Sequence, residues 1–231
     1  MDRTVTITGS SRGIGLETAA EFLKDGDRVV IFCRHKDHVK EATDYLRRVG
    51  DSGKILGLVG DVRRARDVKG IVARTLSAFG RIDLLVNNAG IAAYKELVEL
   101  TEKEWDDILD TNLKGTFLFM REVLPIMKQQ AAGVVVNVSS ALGLEGESNF
   151  SAYCASKFGV IGLTQSAADE TAASGVRVYA VLPWAVKTKL NADLGLGMSD
   201  SELLQPRQVA EKIFHLADGK KRSGELIRVH L

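Results

Sequence analysis

Residues 8–15 have the sequence Thr8-Gly9-Ser10-Ser11-Arg12-Gly13-Ile14-Gly15, and this segment organises the chain around it. The β-branched run at 5–7 just before it is typical of a strand. Apolar residues then follow at 16, 19, 20 and 23, which is the spacing of an amphipathic helix. In such a corner the backbone N–H groups and the positive end of the helix dipole face an anion. The segment therefore predicts a phosphate-binding turn in an α/β fold.

The three glycines at 9, 13 and 15 are spaced G-x-x-x-G-x-G, which differs from the G-x-G-x-x-G of the common dinucleotide fingerprint. Glycine-rich turns after strands are also common as simple tight turns. The pattern alone therefore leaves a binding site and a plain turn equally open, and its context must decide.

Composition excludes several classes of protein. The chain has 231 residues, of which 45% are hydrophobic, and a formal net charge of +1. This length favours one domain with a large core, and near-neutral charge argues against binding to nucleic acid or to a membrane surface. The sequence contains no apolar run of about 18 residues. Because a strand is predicted so near the first residue, we expect no signal peptide. We expect a cytoplasmic protein.

The cysteines and histidines predict neither a disulfide framework nor a metal site. Cys33 and Cys154 form no C-x-x-C pair, which fits a reducing compartment. His35 and His38 are close in sequence, but further metal ligands are not found near them. We expect these two histidines to be solvated surface residues.

Strand and helix patterns alternate along the whole chain. Such alternation predicts right-handed crossovers and a doubly wound parallel sheet with helices on both faces, the Rossmann fold, as a single domain over 1–231. Pro125 is expected to kink or interrupt the longest helix. The glycine-rich and polar segment 188–206 is a candidate lid over the carboxyl ends of the strands. Strands are predicted at 5–7, 28–32, 54–59, 82–86, 134–138, 176–182 and 225–229, and the clearest helices at 102–130, 153–173 and 208–216.

Polar residues follow several predicted strands directly, where sheets of this kind bind ligands. Asp61 follows the third strand, 87–90 (Asn-Asn-Ala-Gly) the fourth, 139–140 (Ser-Ser) the fifth and Pro183 the sixth. Each of these alone is also explained by turn chemistry, because Asp, Asn, Ser and Gly favour turns.

Tyr153 and Lys157 are four residues apart on a predicted helix, so they share one face. A lysine ammonium favours the phenolate form, and we expect it to lower the pKa of the tyrosine from its ordinary value of about 10. The pair could then donate and accept a proton, with the Ser140 hydroxyl holding a substrate oxygen. As an isolated pair, Tyr-x-x-x-Lys is common and is better explained by two surface residues.

Taken together, these motifs resemble the classical short-chain dehydrogenases/reductases, from Thr4 to nearly the end of the chain. The matching features are T-G-x-x-x-G-x-G at 8–15, Asp61-Val62, N-N-A-G at 87–90, Asn112, Ser140, and Y-x-x-x-K at Tyr153 and Lys157.

The resemblance implies an oxidoreductase that interconverts a ketone or aldehyde and an alcohol by hydride transfer with a nicotinamide cofactor. It implies that Tyr153 donates the proton and Ser140 orients the carbonyl. Lys157 would lower the tyrosine pKa and bind the nicotinamide ribose, and Asn112 would hold a water that relays protons to Lys157. Asp61 would meet the adenine, 88–90 would support the adenosine, and Thr188 would meet the carboxamide. The full set of implied cofactor contacts is Gly9, Ser11, Arg12, Gly13, Ile14, Gly15, Arg34, Asp61, Val62, Asn88, Ala89, Gly90, Tyr153, Lys157, Pro183, Trp184, Val186 and Thr188.

Two positions depart from the family pattern. Trp184 follows Pro183 where the family usually has glycine, and Tyr179 stands where an asparagine is frequent. A tryptophan there must either point into the core or form a wall of the substrate pocket. We favour the wall, because positions just past strand ends face the cleft in this architecture.

The resemblance also bears on cofactor choice, substrate and assembly. Relatives that use NAD usually carry an acidic residue where this chain has Cys33, and Arg34 and Arg12 could instead bind a 2′-phosphate. We therefore expect NADP(H) to be favoured over NAD(H). The substrate is a small carbonyl compound or alcohol, with a 3-oxoacyl-carrier-protein reductase and a non-catalytic nucleotide-binding module as alternatives. A homotetramer is favoured, with a dimer as the alternative.

Overall fold

Seven parallel strands form one sheet in the order β3-β2-β1-β4-β5-β6-β7. This computed structural model describes residues 2–230, so the first and last residues of the expected domain 1–231 lie outside it. Each strand is found where the sequence predicts one, with ends shifted by no more than two residues. The strands are β1 (Thr4–Thr8), β2 (Arg28–Cys33), β3 (Ile55–Val59), β4 (Leu84–Asn87), β5 (Gly133–Val138), β6 (Val176–Pro183) and β7 (Leu226–Val229).

Helices connect the strands and cover both faces of the sheet, which makes this a doubly wound α/β fold of the Rossmann type. The helices are α1 (Gly13–Lys24), α2 (Lys36–Leu46), α3 (Ala65–Phe79), α4 (Glu102–Leu109), α5 (Gly115–Gln130), α6 (Ser151–Glu170), α7 (Lys189–Leu194) and α8 (Pro206–Leu216). None of the helices within residues 2–230 has the length and apolarity needed to cross a membrane.

Alternate residues of each strand fill two separate core layers. In β2, Val29 and Ile31 pack in the layer that contains α1 and α8, whereas Val30 and Phe32 pack in the layer that contains α3 and α5. The second layer includes a stacked ring pair, Phe32 and Phe119, with centroids 5.1 Å apart. Because successive strand residues point to opposite faces, a sheet covered on both sides needs nearly continuous apolar strands. This explains the apolar runs in the sequence.

The order of the strands reverses direction between β1 and β4, and the crevice at such a switch point is where open α/β sheets bind ligands. Ser10 supports the turn above this point. Its hydroxyl donates to the carbonyl oxygen of Ile7 at 2.7 Å and accepts from the N–H of Phe32 at 2.9 Å. The turn after β1 is thereby tied to β2.

The long helix predicted at 102–130 is divided. A π-helical segment, Asp110–Lys114, separates α4 from α5. Pro125 neither interrupts nor ends α5, which continues to Gln130. Pro125 lies on the exposed side of this helix, where water can bond the carbonyl group that loses its helical partner.

The candidate lid, 188–206, contains more regular structure than the sequence predicts. It includes α7, whose first turn is capped by the Thr188 hydroxyl, which accepts from the N–H of Asn191 at 3.4 Å. Leu204 forms a parallel bridge with Val186, so the far end of the segment is fixed to the chain just after β6.

Candidate active site

The glycine turn brings the backbone unusually close to its neighbours. Gly9 has φ +62° and Gly13 has φ +56°, a region that side chains other than glycine rarely occupy. A Cβ atom on Gly9 would lie 2.8 Å from the Cα of Ala89. Arg12 precedes α1 without capping it through its side chain. The first N–H groups of α1 have no partners within the helix and are available to an anion.

The N-N-A-G segment at 87–90 supports this turn through hydrogen bonds. The Thr8 hydroxyl accepts from the N–H groups of Asn88 and Ala89, both at 2.8 Å. The Asn88 amide nitrogen in turn donates to the carbonyl oxygens of Thr8 at 2.9 Å and Gly9 at 3.1 Å. The amide of Asn88 is thus engaged in holding the turn in place.

One continuous cleft of about 630 Å³ runs from the glycine turn to the Tyr153 phenol. Gly15 and Asn112 lie behind its wall. Gly15 supports the turn, because a Cβ there would lie 2.6 Å from the Asn88 amide nitrogen. The other residues named from the sequence line the cleft, namely Gly9, Ser11, Arg12, Gly13, Ile14, Arg34, Asp61, Val62, Asn88, Ala89, Gly90, Ser140, Tyr153, Lys157, Pro183, Trp184, Val186 and Thr188.

Ser140, Tyr153 and Lys157 converge at one end of this cleft. Ser140 is the second residue after β5, and its hydroxyl accepts from the N–H of Leu142 at 3.2 Å. Tyr153 and Lys157 lie on the first two turns of α6, with the Lys157 ammonium 5.5 Å from the centre of the tyrosine ring. That ammonium donates to the carbonyl oxygen of Val138 at 2.8 Å, and the side chain is buried.

Burial controls the protonation of both groups. It raises the pKa of Tyr153 to about 12, although the nearby Ser140 hydroxyl acts in the opposite direction. It lowers the pKa of Lys157 to about 8. The pKa of Tyr153 therefore lies above its ordinary value, so the expectation of a lowered tyrosine pKa is wrong in this structure. Loss of hydration penalises each charged form more than the neighbouring group stabilises it.

Asn112 lies within the π-helical segment, and its side chain is fully engaged by the protein. The amide oxygen accepts from the N–H of Ile91 at 2.9 Å, and the amide nitrogen donates to the Ile91 carbonyl and to the Ser156 hydroxyl, both at 2.9 Å. A Cβ on Gly90 would lie 3.4 Å from the Asn112 oxygen and 3.7 Å from the Lys157 nitrogen. Asn112 is therefore close to Lys157, and it fixes the loop after β4 against α6.

The opposite end of the cleft is rich in charge. Within residues 2–230, the guanidinium groups of Arg12 and Arg34 make no salt bridge, and both side chains are exposed at the cleft. Asp61 is buried at this end and accepts hydrogen bonds from Arg63. Two unpaired cations at one end of a cleft can bind a phosphate group by charge-assisted hydrogen bonds.

The two residues that depart from the family pattern lie in different surroundings. Trp184 is 49% exposed and lines the cleft, so it is not a core residue, and its backbone N–H donates to Val229. Tyr179 is completely buried, and its hydroxyl donates to the carbonyl oxygen of Lys221 at 2.7 Å. Tyr179 fixes the loop before β7 and does not line the cleft.

Several residues of the cleft were not identified from the sequence. Tyr94 and Phe150 form an aromatic wall with ring centres 5.2 Å apart, and Phe150 lies 6.1 Å from Tyr153. Phe150 comes three residues before Tyr153, a spacing that could have pointed to it. His35 and His38, expected to be solvated, are not buried but also line the cleft beside Arg34.

Comparison with known proteins agrees with this geometry. A family profile described as short chain dehydrogenase matches residues 3–198. The 3-oxoacyl-(acyl-carrier-protein) reductase of Staphylococcus epidermidis is 33% identical over 241 residues, covering 100% of this chain and 98% of that protein. Levodione reductase of Leifsonia aquatica is 34% identical over 225 residues, covering 97% and 83% of the two chains.

Solved structures give the same result. A crystal structure of levodione reductase superimposes with a TM-score of 0.93 and 28% identity, covering 100% of this chain and 96% of that one. A variant of actinorhodin polyketide ketoreductase with NADPH superimposes with a TM-score of 0.92 and 30% identity, covering 99% and 96%. With its glycine turn, its Ser140, Tyr153 and Lys157 cluster and these relatives, the chain belongs to the short-chain dehydrogenase/reductase family of oxidoreductases, in its classical subgroup.

Proposed function

We propose that this protein is an NADP(H)-dependent reductase that interconverts a ketone or aldehyde and the corresponding alcohol. One observation carries the proposal. A single cleft joins an anion-binding glycine turn with two unpaired arginines to a cluster of Ser140, Tyr153 and Lys157. The turn fits a pyrophosphate, because Gly9 and Gly13 adopt positive φ values and the turn leads into the N-terminus of α1, whose first N–H groups can bind an anion. When bound, the nicotinamide supplies or accepts the hydride.

Tyr153 delivers the proton to the carbonyl oxygen. A phenol with a pKa of about 12 keeps its proton at neutral pH, so it is ready to act as an acid in the reductive direction. The Ser140 hydroxyl, which lines the cleft close to Tyr153, orients and polarises the same oxygen. The Lys157 ammonium, held by the Val138 carbonyl, has further donor hydrogens for ribose hydroxyls. Its positive charge also stabilises the phenolate that forms when the proton leaves.

The preference for NADP(H) is supported by the charge around the adenosine end. Arg12 and Arg34 supply two guanidinium groups, and Cys33 stands at the end of β2 where a carboxylate would repel a 2′-phosphate. The related ketoreductase structure contains NADPH. His35 and His38 lie beside these arginines and add hydrogen-bonding capacity at the same place.

The substrate end of the cleft favours flat or small carbonyl compounds. Tyr94, Phe150 and Trp184 provide aromatic surface around the Tyr153 phenol. The lid segment adds apolar side chains from Leu190, Leu194, Leu196 and Met198. Such a pocket recognises its substrate through shape and apolar contact, with few polar groups to select particular functional groups.

A 3-oxoacyl-carrier-protein reductase is the second candidate. It is favoured by the relatives with that activity, which match this chain over its full length. Against it, an acidic carrier protein needs free basic residues beside the cleft. Lys187 pairs with Asp200 and Lys189 pairs with Asp193, so acidic side chains accompany both lysines of the lid segment and no purely basic patch forms there.

Consumption of NADPH with a panel of carbonyl compounds tests the proposal. The panel contains small ketones, aryl ketones, cyclic diketones, and acetoacetyl groups on pantetheine and on an acyl carrier protein. Turnover of simple ketones supports the first candidate. A strong preference for the carrier-bound substrate over its pantetheine analogue supports the second. Binding of NADPH with no turnover of any carbonyl compound would favour a non-catalytic nucleotide-binding module.

A further inference from the structure

Asp61 is held by an arginine two residues away in the sequence. Asp61 follows β3 and lines the adenosine end of the cleft, where it is 7% exposed. The Arg63 side chain contacts both carboxylate oxygens, with Nε at 3.1 Å from Oδ1 and 3.0 Å from Oδ2, and Nη2 at 2.8 Å from Oδ2. The backbone N–H of Arg63 also donates to Oδ1 at 3.0 Å. Four contacts from one residue leave this carboxylate little freedom to rotate.

The other arm of the same guanidinium reaches a different part of the fold. Nη1 of Arg63 donates to Oδ1 of Asp107, on α4, at 2.7 Å. Asp107 also pairs with Lys103 one turn earlier in that helix. Arg63 is therefore fixed at both ends, and it connects the segment after β3 to α4.

The charged groups around Asp61 all favour its ionised form or its present orientation. Burial raises the pKa of Asp61, but the hydrogen bonds and charge of Arg63, with a smaller contribution from Arg34, leave that pKa below its usual value. On the other side, the Asp67 carboxylate accepts the backbone N–H of Asp61 at 3.0 Å. A carboxylate that is ionised and fixed in direction is a strong acceptor for an amino group.

We propose that Arg63, anchored by Asp107, is a positioning residue that fixes the direction of the Asp61 carboxylate at the adenine end of the cofactor site. This inference rests on the proposed function, in which Asp61 meets the adenine. Arg63 acts through Asp61 and takes no part in the chemistry at Tyr153. The alternative is that Arg63 occupies the lone pairs of Asp61 and so excludes the adenine. The two possibilities predict opposite changes in the affinity for NADPH when Arg63 is replaced.

That measurement is the Kd of NADPH, determined by titration without substrate, for Arg63→Gln and for the control Arg66→Gln. Arg66 is exposed on α3 and, among residues 2–230, its side chain makes no hydrogen bond or salt bridge, so the control removes the same charge without touching Asp61. We expect the Arg63 variant to bind NADPH about tenfold more weakly, because a charge-assisted arrangement is lost. The Arg66 variant should match the original protein.

Four further readouts separate positioning from a general structural role. Reduced nicotinamide mononucleotide lacks adenine, so its KM should be the same in both variants, and kcat with saturating NADPH should change little. Arg63→Lys should recover part of the affinity, because a lysine can pair with one carboxylate but cannot hold two. In Arg63→Gln the Kd should also rise more steeply as the pH falls from 7 to 5, because Asp61 then protonates more readily. Titration of the 2′-phosphate affects both variants equally.

Equal or tighter NADPH binding by Arg63→Gln would overturn the inference, as would an equal loss of affinity for the mononucleotide. The comparison of Kd values does not depend on carbonyl reduction. If the original protein binds NADPH but reduces no carbonyl compound, the proposed function fails while the comparison of Arg63→Gln with Arg66→Gln still decides the role of Arg63.

Discussion

The Lys157 ammonium lies 5.5 Å from the centre of the Tyr153 ring and donates to the carbonyl oxygen of Val138. Both side chains are in surroundings that disfavour charge, which leaves a tyrosine with a raised pKa beside a lysine with a lowered one. This is the arrangement expected of an acid that must hold its proton until a carbonyl oxygen can take it. The lysine nitrogen remains close enough to stabilise the phenolate once the proton has left.

Replacement of Tyr153 by phenylalanine removes the proton donor and keeps the ring that packs against Phe150. We expect kcat to fall by about 10²–10⁴, the usual cost of losing a general acid. The Kd of NADPH should change little, because the glycine turn and the arginines remain intact. Single-turnover and titration measurements on the same preparation check both statements, and near-normal kcat would remove Tyr153 from the proposed role.

Lys157→Met should weaken both turnover and cofactor binding, but it should also change how stability depends on pH. The pKa of Lys157 is about 8 in the folded protein and about 10.5 when the chain is unfolded. The folded protein therefore bears the full cost of the buried ammonium below pH 8, and its stability recovers as the pH rises from about 8 to 10.5. The shift corresponds to at most about 3 kcal/mol.

Thermal melting of both proteins between pH 7 and pH 10, without added nucleotide, tests this. The original protein should gain stability over that range relative to Lys157→Met, which lacks the titrating group. In the variant the Val138 carbonyl lacks its hydrogen-bond partner at every pH. This loss lowers the Tm of the variant by a similar amount at each pH and does not alter the slope of Tm against pH. Parallel curves of Tm against pH for the two proteins would contradict the assignment of Lys157 as a buried lysine with a lowered pKa.

Cofactor choice should depend on Arg12 and Arg34 together. With both changed to alanine, we expect the ratio of kcat/KM for NADPH to that for NADH to fall by at least about tenfold, because charge-assisted bonds to the 2′-phosphate are lost. The rate with NADH should be nearly unaltered, and this serves as the internal control. If the original protein uses NADH as well as NADPH, the preference for NADP(H) is wrong.

The sheet was predictable because each strand is covered on both faces and so consists of a short apolar run between turn residues. The π-helical segment Asp110–Lys114 was not predictable, because it depends on hydrogen bonds to other parts of the fold. The Asn112 amide there bonds Ile91 and Ser156, which are distant in the sequence. The helical periodicity continues on both sides of this segment, so a single long helix was expected.

The candidate site, like the fold, was predictable only in part from the sequence. Motif spacing located Ser140, Tyr153 and Lys157, because each follows a strand or shares a helix face with another. The raised pKa of Tyr153 depends on burial, which the sequence does not reveal, and the reasoning from neighbouring charge predicted the opposite direction. Arg63 was missed because its importance depends on Asp107, which lies 44 residues away in the chain.

Assembly is expected through the helices around 102–130 and 153–173. Phe117 on α5 is 42% exposed and Phe158 on α6 is 46% exposed, which is consistent with a contact between copies of the chain. The family resemblance also predicts contact through the last strand, and in β7 the side chains of Ile227 and Val229 are buried in the chain's own core. Light scattering should give about four times the 25.1 kDa of one chain. Phe158→Glu should lower that mass, while Val98→Glu, at an exposed position outside these helices, should not.

Trp184 stands where the family usually has glycine. Its indole is 49% exposed in the cleft wall, so its removal should cost little stability and should instead enlarge the pocket beside Tyr153. In Trp184→Gly we expect kcat/KM for bulky ketones to rise by about tenfold relative to that for small ones, since apolar pockets discriminate by roughly this factor for small changes in size. Trp184→Phe keeps an aromatic wall and should retain the original ranking of substrates.

The backbone hydrogen bond from residue 184 to Val229 persists in both variants, so their Tm values should stay close to that of the original protein. A large loss of Tm in Trp184→Gly with an unchanged ranking of substrates would mean that the indole supports the fold and does not shape the pocket.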